Sequence, residues 1–107
     1  MQTPDSTANG LANLDKLLEH RSRLGTCVML ADTDAMSFTN LKKLLKETDG
    51  NMGAHMRKLE EANYVTVKKE FQNRKPVTWY ALSTQGRHAL KAHLDALQSI
   101  IQNSGLT

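Results

Sequence analysis

Asp49-Gly50-Asn51-Met52-Gly53-Ala54-His55-Met56-Arg57-Lys58-Leu59-Glu60-Glu61-Ala62-Asn63 is the stretch whose reading decides the fold of this chain. Met52, Met56, Leu59 and Ala62 recur at three- and four-residue spacing, which gathers them on one helical stripe at about 100° per residue. Asp49 stands where a carboxylate can accept the amide hydrogens left free in a first turn. A helix is therefore predicted over about 50–62, with the stripe toward a core. Opposite it lie Gly50, Ala54, Arg57 and Glu61, flanked by Asn51, Gly53, His55 and Lys58. Glycine and alanine let another surface approach the backbone, while the amide and basic side chains supply hydrogen-bond donors. The major groove of a duplex is one partner for such a face; plain solvent around an amphipathic helix is the other. The surrounding sequence decides between them.

Upstream, Ser37 is placed to cap a helix that carries Phe38, Leu41, Leu44 and Leu45 inward and Lys42, Lys43 and Lys46 outward. Only Glu47, Thr48 and Asp49 separate it from the central stretch, and two helices joined by so short a turn must cross steeply, which is the helix-turn-helix layout. Before that, Leu11, Leu14, Leu17 and Leu18 predict a first helix to about His20. Leu24, Cys27, Val28 and Ala31 predict a second, which Ser22 can cap. Residues 1–10 are polar, with Pro4 and Gly10 and no periodicity, and are expected to be a disordered tail.

Downstream, the period changes from helical to alternating. Tyr64–Phe71 and Val77–Leu82 read as strands by their β-branched and aromatic content. The polar Gln72-Asn73-Arg74-Lys75-Pro76 between them makes a hairpin with a basic tip, spanning about 64–82. Asn63 fits a helix terminator, because asparagine tolerates the left-handed conformation such a position needs. A last helix, capped by Ser83, runs over about 84–102 with Leu90, Leu94, Leu97 and Ile101 on one stripe, widened by Ala89, Ala96 and Ile100; residues 103–107 form a short tail. So broad an apolar face is more than a small domain readily covers alone, and a homodimer is expected through Leu11, Leu14 and Leu18 of the first helix with Leu90, Leu94, Leu97 and Ile101 of the last, the alternative being that the helix folds back entirely on its own domain.

At 107 residues the chain has room for one core. Its apolar runs are too short for a membrane span and its start lacks a secretory pattern, so no membrane partner is expected and the location is expected to be cytoplasmic. The single cysteine, Cys27, has no internal partner and sits on an apolar stripe, which predicts a small buried hydrophobe. The net charge is only +3, but residues 42–75 carry nine basic side chains against five acidic ones and net +4, leaving the remainder at −1. A basic middle suits a polyanion.

The order of elements and particular residues carry a resemblance. These residues are Arg23-Leu24, Phe38 and Leu41, Asp49-Gly50-Asn51-Met52 leading into His55-Met56-Arg57-Lys58-Leu59-Glu60, Tyr64-Val65, and Thr78, Tyr80 and Leu82 followed by Ser83 and Gly86. Over roughly residues 11–100 the chain resembles a prokaryotic winged-helix transcriptional regulator of the MarR/ArsR-like kind, in its compact single-domain form. The fold implied is mainly α with a small β-hairpin (α+β), a winged helix-turn-helix over 11–102 with a long C-terminal dimerisation helix.

The function implied is sequence-specific binding of double-stranded DNA at a pseudo-palindromic operator by a homodimer, as a repressor. Base contacts are expected from Gly50, Asn51, Ala54, Arg57 and Lys58. Phosphate and wing contacts are expected from Lys42, Lys43, Gly53, His55, Lys68, Lys69, Asn73, Arg74 and Lys75. A small-molecule effector is left open. Two positions depart from the family pattern. Gly53 replaces a common serine or threonine, losing a hydroxyl for phosphate, and Asn63 replaces glycine while meeting the same backbone need.

Relatives of the ArsR type sense metals through Cys, His and Asp. Here His88 and His93, five residues apart, point about 140° apart on one helix and cannot share an ion there. The cysteine-rich sensor motif is also missing, and no metal or cofactor is expected. His20 and His55 read as structural or phosphate-contacting. The sequence has no phosphate loop, supported carboxylate pair or nucleophile motif, so no enzyme is expected. Two alternatives stay open: a winged-helix protein-interaction module without DNA binding, for which Glu60 and Glu61 speak, and a metal-sensing regulator.

Overall fold

The computed structural model describes residues 4–106. Its elements follow the order α1 (Pro4–Ala12), a single 3-10 turn (Lys16–Leu18), α2 (Arg21–Ala31), β1 (Met36–Ser37), α3 (Phe38–Leu45), α4 (Asp49–Glu61), β2 (Val65–Gln72), β3 (Lys75–Leu82) and α5 (Thr84–Ser104). The three strands form one antiparallel sheet in the order β1-β3-β2. Leu18, Cys27, Leu30, Leu41, Leu45, Met52, Met56, Leu59, Val65, Tyr80 and Leu90 make the core. The methionine and leucine stripe of the central stretch is thus what α2, α3 and the sheet close upon.

Short polar side chains set most of the boundaries. Ser37 accepts the Asn40 amide hydrogen at 3.1 Å and Ser83 accepts that of Gly86 at 2.9 Å, as expected of N-caps. Two caps differ from expectation. Thr48, not Asp49, caps α4 by accepting from the Asn51 amide at 3.1 Å, and Asp49 becomes the first helical residue. His20, not Ser22, caps α2 through its Nδ1, and Ser22 is fully buried as the second residue of the helix.

The N-terminal part departs most from the sequence reading. Helix α1 occupies Pro4–Ala12, where a structureless tail was expected up to residue 10; residues 1–3 of that tail lie outside the described residues. Proline suits a first helical position because its missing amide hydrogen would have no partner there. Gly10 lets α1 approach α5, since a Cβ at that position would stand 3.0 Å from Ile100. The predicted helix to His20 is broken instead: Asp15 accepts the Leu17 amide hydrogen at 2.9 Å, a local bond that competes with helix continuation and leaves only a 3-10 turn. At the other end α5 continues to Ser104 and stops at Gly105, whose φ is +71°, so most of the short C-terminal tail is helix or its cap. Thr107 is outside the described residues.

Inward and outward assignments also shift in places. Val28 and Leu44, both expected inside, are 46% and 52% exposed. The strands run further toward the tip and the turn is tighter than the five-residue loop expected, because Asn73 and Arg74 both adopt positive φ, +52° and +66°, and close a two-residue turn between the paired Gln72 and Lys75. Pro76 therefore lies within β3, opposite Phe71. Strand β1 had no sequence signal; two residues pair with Tyr80 and Trp79 and leave directly into α3.

Candidate nucleic-acid interface

The turn between α3 and α4 fixes how the central helix is presented. Lys46 takes a left-handed φ of +56°, the Glu47 amide returns to the Lys42 carbonyl at 3.1 Å and the Lys46 amide to that of Lys43 at 3.3 Å. That is a Schellman ending built on lysine instead of glycine. Helix α4 ends the same way at Asn63, φ +63°, with the Tyr64 amide bound to the Leu59 carbonyl at 2.9 Å. Across the first turn the Lys42 ammonium meets the Asp49 carboxylate at 2.7 Å.

With Met52, Met56 and Leu59 buried, the opposite side of α4 faces outward. Gly50, Asn51, Arg57 and Lys58 are exposed and Ala54 is half-buried, so the five expected base-reading positions share one accessible face. A Cβ at Gly50 would meet nothing within 4 Å, and one at Gly53 would meet only the Arg57 guanidinium, at 4.0 Å. These glycines answer to no contact within the fold.

Strand alternation divides the wing lysines. Lys69 stands opposite Thr78 and shares its face with Val67 and Tyr80, toward α4; Lys68 stands opposite Trp79 on the other face, where its ammonium pairs with Glu70 at 3.0 Å. The two lysines, expected to act together, are therefore separated by the sheet. Lys69 and Thr78, with Gly53, Arg57, Glu60, Phe38, Val67 and Tyr80, line a notch of about 360 Å³ between α4 and the wing. At the wing tip Asn73, Arg74 and Lys75 are all exposed, and Phe71 is 78% exposed beside them. Lys43 is exposed on α3.

His55 is the clearest correction among the site residues. It was expected on the phosphate-facing flank, but its side chain is only 13% exposed and enters a cluster that joins α2, the turn and α4. The Arg23 guanidinium reaches its Nδ1 at 3.0 Å while holding the Leu17 carbonyl at 2.6 Å through Nε. Arginine can only donate, so Nδ1 accepts and the imidazole proton sits on Nε2, which faces the Glu47 carboxylate at 3.5 Å. Glu47 also accepts from the Ser22 hydroxyl, and the His20 ring lies 4.1 Å from that of His55.

The Ser22 hydrogen bond is the main cause that holds the Glu47 carboxyl below its ordinary range, with His55, His20 and Arg21 adding to it. Burial, then His20, Arg23 and Lys58, hold His55 below the ordinary histidine value, against the pull of Glu47. Ligand-capable atoms of His20, Glu47 and His55 lie within 4.8 Å of one another. Both Nδ1 lone pairs are nonetheless taken, His20 by the Ser22 amide and His55 by Arg23, so neither neutral imidazole has one left for a metal ion.

A second connection passed unnoticed in the sequence. The Tyr64 hydroxyl donates to Asp15 at 2.5 Å, and the Asp15 amide donates to His93 Nδ1 at 2.9 Å, tying the residue before β2 to α5. Burial and that hydrogen bond push the Tyr64 phenol up to about 12. Nothing in the spacing of Asp15, Tyr64 and His93 marks them as partners, since 49 and 78 residues separate the pairs. Cys27 is fully buried, and desolvation pushes its thiol up to about 12, as fits an inert core residue. Of the expected dimer contacts, Leu18 and Leu90 are consumed by the protomer's own core at 0% and 5% exposure, while Leu11, Leu94 and Ile101 stay exposed and Leu14 and Leu97 half-buried. Among the described residues no helix is long and apolar enough to cross a membrane.

Comparison with known proteins agrees with this architecture. An uncharacterized protein of Methanocaldococcus jannaschii, MJ0432, is 28% identical over 88 residues, covering 82% of this chain and 96% of that protein. The structure of a transcriptional regulator homologue from Pyrococcus horikoshii superposes with a TM-score of 0.83 at 25% identity, over 95% of this chain and 99% of that one. The crystal structure of MarR superposes with a TM-score of 0.71 over 96% of this chain and 74% of that one, a likeness of fold at 12% identity. The family model described as winged helix DNA-binding domain matches residues 22–101, and the chain belongs to that family.

Proposed function

We propose that the chain is a transcriptional regulator that reads a pseudo-palindromic duplex operator as a homodimer and acts as a repressor. The observation that carries this reading is the outward face of α4, where Asn51, Arg57 and Lys58 stand exposed around glycine and alanine positions. The description of the Pyrococcus horikoshii protein as a transcriptional regulator homologue supports it. In the major groove, Asn51 in the first turn pairs with adenine and Arg57 with guanine, and each bidentate contact discriminates by about 1–3 kcal/mol. Lys69 and Thr78 receive the phosphates that pass through the notch, and Arg74 reaches the minor groove or its phosphates from the wing tip. A two-fold dimer sets its recognition helices roughly 34 Å apart, one turn of duplex.

Binding-site selection tests this directly. Asn51→Ala is expected to flatten the preference at one position of each half-site, whereas Lys43→Ala is expected to lower affinity evenly and reduce the salt slope by about one. An unchanged sequence logo for Asn51→Ala would remove that residue from base reading. Failure of the parent to retard any duplex in a low-salt gel shift would favour the protein-interaction reading instead.

A further inference from the structure

We propose that Arg23, His55 and Glu47 form a proton-gated latch that positions the recognition helix, so that base discrimination depends on His55 being neutral. The proposal rests on the DNA-reading role of α4 and adds its regulation. Its basis is geometric. One imidazole on α4 is approached from two directions: it is hydrogen-bonded at Nδ1 by Arg23 of α2, 3.0 Å away, and faced at Nε2 by the Glu47 carboxylate of the interhelical turn, 3.5 Å away. Each grip is anchored in turn. Arg23 is fixed by the Leu17 carbonyl, Glu47 by the Ser22 hydroxyl, and the turn itself by Arg21, which donates to the Leu45 carbonyl at 3.3 Å.

Only the neutral Nε2–H tautomer can satisfy both sides. A second proton would have to go on Nδ1, where it would point at the Arg23 guanidinium, donor against donor and cation against cation. His20 and Lys58, the other basic groups near the ring, add to that repulsion, and Glu47 alone opposes it. Protonation therefore releases Arg23 while leaving the Glu47 side held, and α4 is freed on its α2 side. Arg57 and Lys58 lie two and three residues further along the same helix. Non-specific attraction to phosphate does not need their alignment, and an added charge on α4 favours it. The latch should consequently act on specificity and not on adhesion.

Side-chain amides separate the two grips. In the His55→Asn variant the amide oxygen would lie close to the place of the imidazole Nδ1 and accept from Arg23 without titrating. In His55→Gln the longer side chain would offer its amide hydrogen near the place of Nε2 and keep only the Glu47 side. In the intact protein without DNA, methyl and amide NMR spectra across the acid range are expected to show Met52, Met56 and α2 resonances following one His55 titration. Those shifts should be absent in His55→Asn. Affinities for the selected operator and for random duplex would then be measured in parallel. The ratio of the two is expected to fall roughly tenfold as the parent is acidified through that titration, the scale of one lost charge-assisted hydrogen bond. It should stay level in His55→Asn and be low at every pH in His55→Gln. A His55 titration that leaves α4 unmoved, or an equal pH response in His55→Asn, would overturn the latch. A parent that does not discriminate between duplexes at any pH would overturn the DNA-reading role, and the NMR arm would still decide whether the latch exists.

Discussion

Arg74 stands exposed at the wing tip in a backbone conformation that costs the fold. It occupies the second central position of a two-residue turn at φ +66°, where glycine has no steric penalty and arginine does. Arg74→Gly is therefore expected to stabilise the protein by about 1 kcal/mol in chemical denaturation. The same change is expected to weaken binding to all duplexes, with a shallower salt dependence and an unchanged order of preference. A loss of stability would mean that Arg74 has a partner in the fold. The basic character of the tip was legible in Asn73-Arg74-Lys75, but the strained backbone was not, because Asn-Arg lacks the glycine that usually announces this turn. His55 illustrates the converse failure. On a helical wheel it belongs to the flank, and only the tertiary placement of Arg23 and Glu47 draws its ring inward.

Among the elements, the crossing of α5 over the end of α4 depends on Gly86. A Cβ there would lie 2.1 Å from the Tyr64 carbonyl oxygen, a backbone atom that cannot step aside because it also accepts from the Ser83 amide at 3.0 Å. Gly86→Ala is expected to cost about 1–3 kcal/mol as an overpacked contact, read as a lower denaturation midpoint. The joint of α2, the turn and α4 predicts a pH dependence. Both His55 and Glu47 titrate below their ordinary values in the fold. The stability each contributes is whole above the unfolded-state value and is lost as the pH falls toward the folded one. Acidification should thus lower the melting temperature first through the histidine range and again through the carboxylate range, and His55→Asn should remove the first step. Helices α3, α4 and α5 were readable because their stripes recur over several turns and serine or threonine stands before them. Helix α1 and β1 were not, since each depends on a partner far along the chain: Ile100 and Ala96 beside Gly10, and Tyr80 and Trp79 across from Met36 and Ser37. The break at Asp15 was not, because an aspartate in a leucine-periodic run marks no break until His93 and Tyr64 hold it where it caps Leu17.

For the molecule as a whole, size and shape bear on assembly. The radius of gyration is 16.0 Å, against about 13 Å for a rounded domain of this length. Helix α5, with α1 packed against it, carries Leu94 and Ile101 at 42% and 44% exposure, and Leu11 of α1 at 55%. Leu94→Asp combined with Ile101→Asp is expected to give a folded monomer by light scattering with operator affinity reduced at least tenfold, because each half-site is then bound alone. A parent that is already monomeric at micromolar concentration would remove the dimer from the proposed function. The principal extents, 60 × 25 × 21 Å, also carry a consequence for motion through solvent. A rod meets more viscous drag than a sphere of equal mass, so a lone protomer should diffuse as though it were heavier than it is. In the proposed homodimer, two such rods side by side would double the mass without doubling the length. Raising the concentration through the association range should therefore lower the frictional ratio in sedimentation velocity, as the particle grows and becomes rounder.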